Sequence, residues 1–101
     1  MLAEHRHFIL PGESRLHADV TVSPVGELEV NILEQDSHLS GEFDQLYFYS
    51  EGKKTELICK SQQQKDDVQW HLSLSSDDAR ELAKLIELAE EEYEILMRDL
   101  S

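Results

Sequence analysis

Cysteine is nearly absent from this chain. Cys59 stands alone among 101 residues, so no disulfide can form within it. Proline and glycine are also sparse. Pro11, Pro24 and the glycines at 12, 26, 41 and 52 are scattered, which excludes a flexible linker or a low-complexity tract. No apolar run approaches the roughly 20 residues that a membrane span requires. The opening Met1-Leu2-Ala3-Glu4-His5-Arg6-His7 has no long apolar stretch of the signal-peptide kind. These features predict a cytoplasmic protein, which would mean the host cytoplasm if a phage encodes it. Basic residues are the scarcest class relative to their counterpart. Nine Lys and Arg oppose 22 Asp and Glu, a formal charge of −13. Nucleic acid and anionic membranes would repel such a surface, so neither is expected as a direct partner.

Catalytic patterns are missing as well. There is no Gly-rich phosphate loop, nucleophile elbow or paired-carboxylate motif, and the expectation is a protein that is not an enzyme and needs no cofactor. His5 and His7 would face one way on a strand, with Glu4, His17 or His71 nearby. Tetrahedral zinc sites use more regular spacing and often cysteine, so no metal is expected. Cys59 falls at an inward strand position and reads as core rather than as a nucleophile.

What is present is a globular pattern. Forty per cent of the residues are apolar, enough for one core and one domain over residues 1–101. Strict alternation marks strands at 15–23 (Leu16, Ala18, Val20 and Val22 inward) and 27–34 (Leu28, Val30 and Ile32 inward), joined by a turn at Ser23-Pro24-Val25-Gly26. Further strands are predicted at 6–10, 43–49, 54–60 and 67–74, the last with Val68, Trp70, Leu72 and Leu74 on the inward face, and polar loops at 35–42 and 61–66. A helix from about 76 to 100 follows, capped by Ser75 or Ser76 and carrying Asp77 and Asp78 in its first turn. The fold class is α+β: a five- or six-stranded antiparallel, meander-like sheet with the long C-terminal helix packed on one face.

That helix carries two features. Ala79, Leu82, Ile86, Ala89, Tyr93, Leu96 and Leu100 form a heptad seam, and Leu85, Leu88 and Ile95 lie beside it. At about 1.5 Å per residue the helix outruns a strand of seven residues. Its far end and second row therefore predict a homodimer through Leu85, Leu88, Ile95, Met97 and Leu100. Acids crowd the other side. Residues 77–100 hold nine acids and three bases, and residues 10–51 hold nine acids and one base. Glu87, Glu91 and Glu94 form a row with Glu90 beside it, where the helix dipole disfavours anions and like charges lie one turn apart. Glu94–Arg98 is the well-ordered opposite pair.

Carboxylates at this spacing, or at Glu27 and Glu29 on a strand, imitate successive phosphates. The expected function is a small acidic inhibitor that masks a basic, nucleic-acid-binding protein through Glu87, Glu90, Glu91, Glu94, Glu27 and Glu29. Its size and charge resemble those of phage anti-defence proteins, anti-CRISPR inhibitors among them, of immunity proteins and of DNA mimics. The alternative is a homodimeric adaptor whose acidity serves solubility, and a third is a small-molecule binder in the sheet–helix cleft. Tyr47 and Tyr49 are a candidate exposed aromatic patch. Lys53, Lys54, Lys60 and Lys65 form a basic island, read as protection of an edge strand.

Overall fold

A computed structural model of the chain describes residues 3–12, 14–64 and 66–100, and of these the side chains at 96, 99 and 100 are not described. Among the described residues, seven strands form two antiparallel sheets. The first is β1 (Glu4–Ile9), β2 (His17–Ser23), β3 (Glu27–Ile32) and β4 (Ser37–Glu42), in that order. The second is β5 (Leu46–Glu51), β6 (Lys54–Lys60) and β7 (Val68–Ser75), also in order. The helix α1 spans Ser76–Leu100. The class is α+β, as the pattern predicts, but the expected single sheet is corrected to two. A strand the sequence conceals, β4, lies within the predicted loop 35–42. A 3-10 turn at Phe43–Gln45 then carries the chain from one sheet to the other. Phe43 belongs to that turn and not to the predicted strand 43–49.

The alternation of β2 and β3 sets the first sheet. Ala18, Val20 and Val22 pair with Ile32, Val30 and Leu28 and are buried with them, because side chains of period two all point to one face. The turn between these strands closes with the Gly26 amide donating to the Ser23 carbonyl over 3.2 Å, and Gly26 takes φ +94°, a value that disfavours any side chain. From the second sheet Leu57, Leu72 and Leu74 enter the same core, and Ala79, Leu82 and Ile86 enter it from α1. The inner faces of both sheets therefore share one core, and α1 packs against β2 of the first sheet and β6 and β7 of the second. Fully buried leucines such as Leu28, Leu57, Leu74 and Leu82 each contribute about 1.5–3 kcal/mol of transfer free energy.

The two sheets meet most closely at β4. Gly41 is buried, and a Cβ placed on it would lie 2.7 Å from Cys59 Sγ, 3.5 Å from Leu46 Cδ2 and 3.7 Å from Trp70 Cζ2. Beside this contact the Trp70 indole N–H donates to the Ser40 carbonyl over 2.9 Å. Trp70 therefore packs from β7 onto β4, with its rim half-exposed, and serves the sheet–sheet contact. Val68, expected inward beside it, is exposed. The register shifts between Cys59 and Lys60, so that Cys59 pairs with Trp70 and Lys60 with Val68. This bulge accommodates Gln69 as an extra residue and sends Val68 to the outer side.

Local chemistry fixes the start of α1. The Ser75 hydroxyl accepts the Asp78 amide over 3.2 Å, so of the two serines expected as cap it is Ser75, and the Ser76 amide donates to the Lys53 carbonyl over 2.9 Å. Arg6 on β1 reaches Glu81 over 3.5 Å and ties the edge of the first sheet to the helix. The far half of α1 is less covered. Leu85 and Ala89 pack against the core, whereas Leu88, Tyr93, Ile95 and Met97 are exposed. The molecule measures 49 × 30 × 28 Å.

Two substitutions test the sheet–sheet contact. Gly41→Ala is expected to lower stability by about 1–3 kcal/mol through overpacking, and Cys59→Ala in the same chain is expected to recover part of that loss. Trp70→Ala is expected to cost about 3 kcal/mol or more. Denaturant unfolding of the single and double variants reads both effects, and additive losses at Gly41 and Cys59 would contradict the contact.

Candidate functional site

The helix acids follow directly from the seam that α1 buries. With Ala79, Leu82 and Ile86 turned to the core, Glu87, Glu90, Glu91 and Glu94 project outward and all are exposed. Among the described residues, Glu87, Glu90 and Glu91 take part in none of the ion pairs, which involve Glu4, Asp19, Glu34, Glu56, Asp77 and Glu81. Glu27 and Glu29 behave differently. They alternate with buried Leu28 and Val30, so they stand half-buried on the outer face of the first sheet, whose inner face α1 covers. The structure thus separates the two groups of acids that the sequence joined into one face.

It also recruits acids that the sequence left unassigned. The turn at Ser23–Gly26, the 3-10 turn at Phe43–Gln45 and the far half of α1 enclose a cleft of about 330 Å³. Glu42 and Asp44 face Glu90 and Glu94 across it, with Val25, Phe43 and Tyr93 between them. The walls are fixed to one another. The Phe43 amide donates to the Gly26 carbonyl over 3.0 Å, and the Gln45 side-chain oxygen accepts the Glu42 amide over 3.0 Å. The Gln62 amide nitrogen donates to both the Glu42 and Asp44 carboxylates. In the register Glu27 stands opposite Glu42, but Glu27 does not line the cleft. The available signal for this site was the pair Glu42 and Asp44 flanking Phe43, but only the fold brings it to the helix.

On the other side of α1 the residues predicted for a dimer divide. Leu85 packs against the core, Leu88 borders a groove with Val22, Pro24 and Glu92, and Ile95 is exposed beyond it. Met97 lies toward Tyr93 and Arg98 instead, and the side chain of Leu100 lies outside those described. Tyr47 and Tyr49 are exposed on the outer face of the second sheet, as expected, but they already hold a cation. Lys60 Nζ sits 4.8 Å from the Tyr47 ring centre, 5.6 Å from that of Tyr49 and 3.3 Å from the Tyr49 hydroxyl. Lys60 and Lys54 belong to the central strand β6 and do not protect an edge. Lys65 lies outside the described residues.

Four of the five histidines share the outer face of the first sheet. His7 contacts Asp19 at 2.6 Å, His17 contacts Glu34 at 3.4 Å, His5 contacts Thr21 at 3.0 Å and His38 contacts Asn31 at 2.7 Å. His71 is on the second sheet, paired with Glu56 at 2.7 Å. Among the described residues no group of three or more His, Cys, Asp or Glu is arranged to hold a metal ion, and no helix is long and apolar enough to cross a membrane. Cys59 is buried, and burial pushes its thiol up from its ordinary value.

Glu34 shows one clear electrostatic effect. Its carboxylate accepts the His17 backbone amide over 2.7 Å, and this hydrogen bond holds it below its ordinary value of 4.5, with a smaller contribution from the histidine charges. Because the folded value is depressed, the stabilisation is complete above about pH 4.5 and is lost as pH falls through the depressed value. Carboxyl-carbon NMR should find Glu34 titrating below its ordinary value of 4.5, and Glu34→Gln should remove that part of the acid dependence. Compared with protein-family models, curated proteins and solved structures, the chain matches none.

Proposed function

We propose that this protein is a non-catalytic binding protein that masks a basic partner, with the outer side of the far half of α1 as its contact. The observation that carries this proposal is the exposed Glu87, Glu90, Glu91 and Glu94 set, extended by Glu42 and Asp44 across the cleft. Glutamates one turn apart repel by a few tenths of a kcal/mol per pair, and anions near a helix C-terminus oppose its dipole. A cationic partner relieves both terms at once. Carboxylates on successive turns, with Cβ atoms about 5–6 Å apart, offer a basic groove a spacing similar to that of a phosphate backbone. The partner class is therefore a basic, nucleic-acid-binding protein of the kind that inhibitors of the anti-defence or immunity type neutralise. Attraction at this charge density also accelerates encounter and weakens with salt.

Charge reversal tests the proposal. Glu87→Lys, Glu91→Lys and Glu94→Lys together should leave the circular dichroism spectrum and melting temperature unchanged or slightly improved, because these side chains point away from the core. The same variant should lose capture of the basic partner that the parent protein binds at low salt and releases at high salt. The parent protein itself should not shift duplex DNA in a gel. Capture that survives the triple reversal would restrict these acids to solubility.

A second reading has its own observation. Leu88 and Ile95 are 48% and 56% exposed on the side of α1 away from the cleft, and twofold pairing would bury the same patch twice. In that case the protein is a homodimeric adaptor. Repulsion between the acidic copies predicts that the dimer tightens as salt rises. Sedimentation of the parent chain and of Leu88→Glu with Ile95→Glu decides it: a concentration-dependent dimer in the parent alone supports pairing, and a monomer in both removes it.

A further inference from the structure

Taking the masking of a basic partner as given, we infer that the cleft between the Ser23–Gly26 turn, the Phe43–Gln45 turn and α1 seats one arginine side chain of that partner, carried on an apolar-flanked peptide segment. Shape is the first observation. The cleft holds about 330 Å³, at the lower end of ligand-sized pockets of roughly 300–1,000 Å³, so it suits one long side chain and its backbone. Its apolar walls are Val25, Phe43 and Tyr93, two of them aromatic. Aromatic rings take a planar guanidinium on their faces, and Val25 can cover its aliphatic stem.

Charge is the second and independent observation. Four carboxylates rim the cleft, Glu42 and Asp44 on one wall and Glu90 and Glu94 on the other, while no Lys or Arg is among the described residues that line it. The contrast with the Tyr47–Tyr49 pair on the same molecule is informative. There the aromatic surface is served by a cation of the chain itself, Lys60. At Phe43 and Tyr93 none of the described residues that line the cleft is a cation, and Arg98 stands in the adjoining groove with Tyr93 and Glu94. Glu42 and Asp44 are held beside each other by the Gln62 amide, which bridges them from outside the cleft. Arginine suits the site better than lysine, since its fork donates to carboxylates on both walls while its plane lies against a ring. The groove of Tyr93, Met97 and Arg98 continues outward from the cleft and gives an apolar flank of the peptide a place to lie.

A peptide with one arginine between two leucines tests this, alongside its citrulline counterpart, in which a neutral urea replaces the guanidinium. In a backbone-amide NMR titration of the full chain, the arginine peptide should shift Val25, Gly26, Phe43, Asp44 and Tyr93 together. Citrulline should weaken binding about tenfold or more, the loss of a charge-assisted pair. Asp44→Asn with Glu94→Gln should weaken the arginine peptide by about tenfold, and Asp77→Asn in the first turn of α1 should leave it unchanged. Equal binding of the two peptides, or shifts spread along Glu87 and Glu91 or over the outer sheet faces, overturns the inference. Shifts at the same amides on concentrating the protein alone would make a second copy the occupant and overturn it as well. If salt-sensitive capture of a basic protein persists while the peptide leaves the cleft untouched, the cleft assignment falls and the masking function stands. If the peptide seats and no basic protein is captured, the masking function falls and the cleft remains a site for cationic side chains.

Discussion

The close approach of the two sheets at Gly41 is the constraint on which the rest depends. Both sheets are meanders of short strands, and neither has an inner face that could be left in water. Burying them against each other requires that some inner position carry almost no volume, and that position is Gly41, facing Cys59 Sγ. Trp70 then fills the space beside the contact and satisfies its indole N–H on the Ser40 carbonyl. With that edge closed, the core is completed by α1, whose Ala79 and Leu82 pack where both sheets are within reach. The free thiol of Cys59 is a consequence of the same packing, being a small apolar group that tolerates the contact and is kept neutral by burial.

The position of α1 decides where charge is offered. Its first half is fixed at Ser75, Ser76 and Arg6–Glu81, and its Ala79, Leu82 and Ile86 are buried. Its second half continues past the main core with Tyr93, Ile95 and Met97 exposed among glutamates. The β2–β3 turn lies beneath this second half, so that Pro24 and Val22 border one groove and Val25 and Gly26 the other. The two proposed contacts use opposite sides of one helix: an acidic, aromatic cleft for a cationic partner and an apolar row for a second copy. They are compatible in geometry, since Glu90 and Glu94 turn one way while Leu88 and Ile95 turn the other.

Much of the fold was legible in the sequence because it rests on local chemistry. The alternation in β2 and β3, the Ser75 cap, the unbroken helix, the exposed Tyr47 and Tyr49 and the inward Cys59 all follow from period, propensity and turn residues. β4 was not legible. Of its three inward positions, Ser37, Leu39 and Gly41, only Leu39 gives an apolar signal, and Gly41 is the glycine that the second sheet demands. Val68 was assigned to the wrong face because one extra residue, Gln69, reverses the parity of β7, and a bulge leaves no mark in a pattern of period two.

The sequence by itself determined the elements and the overall charge: an acidic α+β chain with a long helix that buries one side and crowds glutamates on the other. Those properties come from residues within a turn or two of each other, where side-chain direction follows from backbone period alone. Only the tertiary structure decided that the strands divide into two sheets, that Glu27 and Glu29 face away from the helix acids, and that Glu42 and Asp44 meet Glu90 and Glu94 around Phe43 and Tyr93. These residues are nearly fifty positions apart in sequence, and no local rule relates them. What joins them is the packing of α1 across both sheets, together with the Phe43–Gly26 hydrogen bond that holds one turn against the other.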